Sequence, residues 1–230
     1  MNGESTHLFS VIARKVAVLR ELGYMRGDYV SAMVASIQGR TDQGSGHLAE
    51  GFLSIKGRVA CELTTTADEL IVTEALCSGL FHKLTMPEVA GLLSVFVSKG
   101  KAPKELKLTE SLQSAHTALL DLAAQLARLQ FEASVLTISA DEYVQNTINS
   151  AMIEAVFSWA AGQTFEASCA RTLMAEGDVV RVLSRVEELG KQVRQAARLL
   201  GDELLACTFD EVVNGIRRGV VAAPSLYFSD

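Results

Sequence analysis

The sequence predicts an all-α protein, a multi-helix bundle with one short extended segment near residues 55–63. Of its 230 residues, 49% are apolar, which is enough to fill a sizeable core. Only 3 prolines and 6% aromatic residues are present, and Ala, Leu, Val and Glu are prominent, a composition that favours helices over an all-β sandwich or a disordered chain. Apolar residues recur at intervals of three or four positions, as they do along amphipathic helices.

The first helix is predicted over residues 7–22, with Gly23 as its C-terminal stop. From residue 26 to residue 51 the helical period fails, and the second half of this stretch holds four glycines, which predicts a flexible surface loop. Residues 54–63 follow. This stretch is short and interrupted by Gly57, so it is predicted to be extended.

Capping boxes mark the later helix starts, because Ser or Thr three residues before Glu lets each side chain satisfy a backbone N–H of the first turn. The boxes are Thr66 with Glu69, Thr85 with Glu88, Ser139 with Glu142, and Thr208 with Glu211. With the apolar period they predict helices near 67–81, 86–98, 109–136, 140–161, 164–175, 178–200 and 208–219. The two longest neighbours, 109–136 and 140–161, suit a bundle hairpin. Trp159 is predicted to anchor the core or a domain interface.

Charge and missing motifs exclude several function classes. The net charge of -6 has the wrong sign for a protein that coats itself in nucleic acid, so any RNA or DNA contact must be local. The sequence has no glycine-rich phosphate loop ending in Gly-Lys-Ser/Thr, so the chain alone is not predicted to be an ATPase, and neither a catalytic residue nor a metal site is predicted. Widely spaced cysteines predict reduced thiols in an intracellular protein. No stretch approaches the ~18 to 20 apolar residues that span a bilayer, so no membrane partner is expected.

The helix predicted over 178–200 carries a polar ridge beside its apolar stripe. The ridge residues recur at helical spacing and are Arg181, Arg185, Glu188, Gln192 and Gln195. Two interpretations fit these residues. One is a solvated face with an Arg/Glu pair; the other is a helix along a nucleic-acid strand, with guanidinium groups over phosphates and a carboxylate that accepts from a base edge. Lys56 and Arg58 form a small basic turn, which fits a phosphate contact or solvated charges equally.

Short motifs follow one another along the chain in a recognisable order. They are Leu22-Gly23-Tyr24, Lys56-Gly57-Arg58-Val59-Ala60-Cys61-Glu62, Asp68-Glu69-Leu70, Thr73-Glu74, Leu92-Leu93-Ser94, Phe96-Val97, Trp159-Ala160 with Gly162 and Phe165, Glu176-Gly177, Val180-Arg181, Glu187-Glu188, Ala196-Ala197 before Gly201, Arg217-Arg218 and Ser225-Leu226-Tyr227. This series resembles the DSHCT domain, the helical C-terminal domain of superkiller-type, exosome-associated DExH-box RNA helicases. The chain departs from the family pattern at Gly219, where an acidic residue is usual, and at Pro224.

The resemblance implies a domain organisation and a parent protein. Residues 1–24 form a lead-in helix, 25–54 a flexible insertion, and 55–230 the DSHCT-like helical domain. The chain is then expected to be the tail of an ATP-dependent RNA helicase that unwinds RNA 3′ to 5′ in RNA processing and decay. ATP and Mg²⁺ would be bound by RecA-like motor domains elsewhere in that polypeptide, and this chain would hold no cofactor and have no enzyme activity alone.

The resemblance also implies site residues and partners. Helix 178–200 is similar to the ratchet helix that lines the RNA channel, which makes Arg181, Arg185 and Glu188 the expected RNA contacts, with Lys56 and Arg58 as further candidates. Expected partners are single-stranded RNA, the motor domains, and the exosome or its cofactors, inside the cell, in the nucleus or the cytoplasm. The alternative is a helical protein-interaction module that docks on motor domains or cofactor proteins and touches no RNA.

Overall fold

The computed structural model describes residues 3–27 and 53–222, and this part of the chain is helical. The helices are α1 Gly3–Glu21, α2 Ile55–Glu62, α3 Glu69–Cys77, α4 Met86–Leu93, α5 Glu110–Glu132, α6 Ala140–Thr147, α7 Ile153–Ala160, α8 Phe165–Cys169, α9 Glu176–Leu200 and α10 Glu203–Ile216. Among the described residues, the extended pairing is an isolated bridge between Met25 and Leu53. The all-α fold class is therefore confirmed. No helix in these two ranges is long and apolar enough to cross a membrane.

The extended segment predicted near residues 55–63 is wrong, because these residues form helix α2. The Ser54 hydroxyl caps the helix by accepting a hydrogen bond from the Gly57 N–H at 3.0 Å. Gly57 lies inside the helix for a packing reason: its Cα faces the carbonyl oxygen of Tyr24, with no space for a side chain between them. A glycine that permits this close approach looks, in sequence, like a helix breaker.

Two of the four predicted capping boxes begin helices. Ser139 caps α6 by accepting from the Glu142 N–H at 3.2 Å. Thr85 and Glu88 form a complete box at the start of α4. Glu88 is buried and also accepts hydrogen bonds from the hydroxyls of Thr109 and Ser111. Burial opposes its ionisation, but the hydrogen bonds outweigh burial and lower the pKa of Glu88 to about 2.

The other two boxes are wrong. Helix α3 is capped by Asp68, whose carboxylate accepts from the Leu70 N–H at 2.9 Å, so Thr66 precedes the cap. Helix α10 begins at Glu203, and its cap is Asp202. Thr208 lies inside this helix and donates its hydroxyl proton to the Leu204 carbonyl at 3.2 Å. The Thr-x-x-Glu pattern is the same at the start of a helix and inside one, so the sequence does not distinguish the two cases.

The helix predicted over 140–161 is interrupted at Asn149. The Asn149 N–H donates to the Val95 carbonyl at 2.9 Å, and its side chain accepts from the Ala151 N–H at 3.1 Å. These bonds replace helical ones, so α6 and α7 are separate helices with a short 3-10 turn, Ser150–Met152, between them. The expected hairpin is formed by α5 and α6, which pack together.

Helices α9 and α10 form a tight hairpin at the centre of the fold, with Gly201 in the left-handed conformation at the turn. This hairpin packs on α2 and α4, α4 packs on α7, and α5 packs on α3. Trp159 at the end of α7 is buried, and its indole N–H donates to the Ile216 carbonyl at 2.9 Å. Trp159 is a core anchor, as predicted.

Helix α1 is joined to the bundle through Tyr24, which is 2% exposed. The Tyr24 hydroxyl donates to Glu74 at 2.9 Å, and burial together with this carboxylate raises the tyrosine pKa. The boundaries between a lead-in helix at 1–24 and a domain at 55–230 stay predictions. Most of the insertion predicted at 25–54, residues 28–52, lies outside the described residues.

Candidate nucleic-acid interface

Helix α9 places the predicted ridge on its exposed side. The stripe beside it is buried through Val182, Val186, Leu189 and Val193, which pack in the core. Arg181, Arg185, Glu188 and Gln195 are exposed, and Gln192 is half-buried. The helix therefore brings the three predicted α9 site residues together along one exposed stripe, as their spacing predicts.

The two arginines of the ridge are held differently. Arg181 is 72% exposed and forms an ion pair of 2.9 Å with Asp178, one turn earlier on the same helix. Arg185 donates one guanidinium N–H to the carbonyl oxygen of Val97 at 3.3 Å, which is long for such a bond. A guanidinium has five N–H donors, so both side chains keep several for an anion.

Glu188 is the hydrogen-bond acceptor among the three predicted site residues of α9. Its carboxylate is 54% exposed and lies 3.4 Å from the Lys191 ammonium. Lys191 is held closer by Glu187, at 3.1 Å. The hydrogen bond to Glu187 raises the pKa of Lys191 despite partial desolvation. Glu188 is therefore the outer member of this group and can accept hydrogen bonds from a ligand.

Gln192 has a structural role within the ridge. Its carboxamide oxygen accepts from the N–H groups of Thr64 and Thr65 at 3.0 and 3.1 Å. Its amide nitrogen donates to the two threonine hydroxyls at 3.0 and 2.8 Å. These four bonds fasten the loop after α2 to α9 and use the whole carboxamide.

The basic turn predicted at Lys56 and Arg58 lies on α2, which packs against α9. The Lys56 ammonium is 2.6 Å from Glu74, donates to the Leu22 carbonyl at 2.8 Å and lies 4.8 Å from the centre of the Tyr24 ring. Arg58 is exposed, and within the described residues it forms no ion pair. An anion could therefore reach Arg58 directly, but at Lys56 it would compete with a carboxylate.

Comparison with known proteins decides the family. Residues 50–223 match the family model described as the DSHCT (NUC185) domain. The chain belongs to the DSHCT domain family. It is 37% identical over 175 residues to human exosome RNA helicase MTR4, an alignment that covers 76% of this chain and 16% of the relative. It is 36% identical over 183 residues to Arabidopsis thaliana DExH-box ATP-dependent RNA helicase DExH10, covering 79% of this chain and 18% of the relative.

A third relative matches over a longer range. Caenorhabditis elegans mRNA transport homolog 4 is 33% identical over 221 residues, which cover 96% of this chain and 19% of the relative. The DSHCT chain thus spans less than a fifth of the length of each of these three relatives.

The α9 ridge of this DSHCT domain presents two exposed guanidinium groups beside an exposed carboxylate. Within residues 3–27 and 53–222, no cluster of three His, Cys, Asp or Glu side chains could hold a metal ion. Sequence reasoning missed one charged feature, residues 99–107, named here the lysine segment. It contains four lysines and one glutamate, a formal charge of +3 in a chain of net charge -6. A scan of local charge would have found it.

Proposed function

We propose that this DSHCT domain is the channel-lining part of an ATP-dependent RNA helicase, and that the α9 ridge contacts single-stranded RNA. One observation carries the proposal: Arg181, Arg185 and Glu188 are exposed along a single stripe of a helix whose adjacent stripe is buried in the core. The relatives support it, because they are named as RNA helicases. The parent protein would act 3′ to 5′ in RNA processing and decay, together with the exosome or its cofactors, inside the cell.

The charged residues of the site would make different contacts with RNA. Arg181 and Arg185 would bind phosphate oxygens or stack on base faces, because a guanidinium is planar and always charged. Glu188 would accept hydrogen bonds from base edges. Arg58 on α2 would add a phosphate contact, and the predicted contact of Lys56 would require its ammonium to leave Glu74. ATP and Mg²⁺ would be bound by RecA-like motor domains on which this domain packs.

The experiment replaces the ridge groups in the whole helicase. We expect Arg185→Ala and Glu188→Ala each to weaken RNA binding about 10-fold, the effect of losing roughly 1.4 kcal/mol of charged hydrogen bonding. RNA-stimulated ATPase activity and unwinding should fall with the affinity. Arg198→Ala is the matched control, because Arg198 is an exposed arginine in the last turn of α9, off the ridge stripe. If both ridge variants unwind RNA like the wild type, the assigned role is wrong.

A second candidate function is a protein-interaction module that contacts no RNA. Such a module could dock through the most exposed large apolar side chains of the described residues, Leu173 at 71% and Leu204 at 83% exposure. Substituting both by Ser separates the candidates. A docking module would lose its association with motor domains or cofactor proteins, whereas an RNA-channel domain would keep its RNA affinity.

A further inference from the structure

The lysine segment is a basic surface in an acidic protein. Lys99, Lys101, Lys104 and Lys107 are all exposed, and within the described residues none of them forms an ion pair. Glu105 is the one acidic residue of the segment, so a formal charge of +3 is concentrated within nine residues. Their charge is therefore available to a ligand.

The backbone of the lysine segment is fixed to the bundle at both ends. At its start, the Ser98 hydroxyl donates to the Asn149 carbonyl at 2.6 Å, and the Asn149 amide donates to the Gly100 carbonyl at 2.8 Å. At its end, the Lys107 N–H donates to the Glu154 carboxylate at 2.9 Å. Leu106 packs against the core. The anchored ends hold the backbone of the segment on the bundle surface, which lowers the backbone entropy lost when an anion binds.

The lysine segment is continuous with the α9 ridge. Arg185 donates to the carbonyl of Val97, two residues before Lys99. At the other end, Lys107 lines a cleft of about 280 Å³ that also contains the exposed Arg171 and one carboxylate, that of Glu154. Lys107 is eight positions after Lys99, a reach of at most about 29 Å in an extended chain, long enough to follow several phosphates of one strand. Cations thus extend from the ridge, along the segment, to the cleft.

We infer that the lysine segment is a second RNA contact of this domain, one that binds the phosphate backbone of a single strand lying on the α9 ridge. This inference rests on the proposed function. Lysines act as point charges and do not read base edges, so the contact is independent of sequence. The lysine segment would make the RNA-binding site longer than the α9 ridge alone. Long RNA would therefore bind more tightly than short RNA.

The test measures RNA affinity of the chain against salt concentration. The variant replaces the four lysines: Lys99→Gln, Lys101→Gln, Lys104→Gln and Lys107→Gln. Each phosphate contact on a single strand contributes about -0.7 to the slope of log K against log salt. We therefore expect the slope to become shallower by about 2 to 3. We also expect the wild type to bind a 20-nucleotide oligouridine more tightly than a 6-nucleotide one, and the variant to lose most of this difference.

A second quadruple variant controls for net charge. Lys15→Gln, Arg20→Gln, Lys83→Gln and Arg128→Gln change the charge by the same amount at exposed positions elsewhere. Its slope should stay within about one of the wild-type slope. Thermal unfolding of both variants checks that the fold is kept.

Three results would overturn the inference. If the lysine variant and the control variant bind RNA alike while Arg181→Ala/Arg185→Ala weakens binding, the inference fails and the proposed function stands. If the wild type binds neither oligonucleotide, both fail. If the lysine variant binds RNA normally but loses binding to a polyglutamate peptide that the wild type binds, the segment serves an acidic protein partner.

Discussion

Replacing Gly57 by Ala tests the packing of α2 on the turn that follows α1. A Cβ at Gly57 would lie closer than 3.0 Å to the Tyr24 carbonyl oxygen, and 3.1 Å from Cδ2 of Leu53. The nearer neighbour is a backbone atom. It cannot rotate away, so either α2 or the Tyr24 segment must move.

The size of the effect follows from two opposing contributions. In an exposed helix interior, Gly→Ala stabilises by about 1 kcal/mol. Overpacking of a buried site costs about 1 to 3 kcal/mol, and here the moving segment also carries the Lys56, Tyr24 and Glu74 interactions. The Lys56–Glu74 ion pair and the Tyr24–Glu74 hydrogen bond would lengthen together. We expect a net destabilisation of about 2 kcal/mol, or a fall in Tm of about 4 to 8 °C for a chain of this size.

Urea and thermal denaturation of the chain, followed by circular dichroism, measure this change. Gly177→Ala is the matched control, because Gly177 is in the first turn of α9 and no atom lies within 4 Å of a Cβ there. It should leave stability unchanged or raise it by up to about 1 kcal/mol. If Gly57→Ala is as stable as Gly177→Ala, the close approach of α2 to Tyr24 does not exist in solution.

Three further predictions concern stability. The folded-state pKa of Glu88, about 2 against an ordinary 4.5, predicts about 3 kcal/mol of stability that is present above pH ~4.5 and lost as the pH falls towards 2. Urea unfolding at pH 7 and pH 3 should show this loss, and Glu88→Gln should reduce it. Gln192→Ala should cost about 1 to 2 kcal/mol, because the N–H groups of Thr64 and Thr65 lose their acceptor; an unchanged urea midpoint would contradict this. Arg218 stacks 3.6 Å from the Trp159 ring, so Arg218→Lys should change the fluorescence of this single tryptophan and cost about 1 kcal/mol; an identical spectrum would refute the stacking.

The sequence was sufficient for the helices whose signals are local. The apolar stripe of α9 is periodic over the whole helix, and the capping boxes at Thr85 and Ser139 lie next to apolar runs. These helices therefore follow from interactions between residues that are close in sequence. The family followed from the order of motifs, not from any one of them.

The remaining features depend on contacts between residues far apart in sequence. Gly57 is helical because Tyr24 packs against it, and Asn149 ends a helix because Val95 offers it a carbonyl. No local pattern contains either partner. The α9 ridge shows the same difference. Its helical spacing is visible in the sequence, but the hydrogen bond between Gln192 and the Thr64 N–H is not, because the two residues are far apart in the chain.

Mapping of ultraviolet RNA crosslinks tests the central claim most directly. The chain would be irradiated with a photoreactive oligouridine, and the crosslinked peptides identified by mass spectrometry. We expect crosslinks on the exposed stripe of α9, between Arg181 and Gln195, and their loss in Arg181→Ala/Arg185→Ala. Crosslinks that fall on other helices and never on α9 would contradict it.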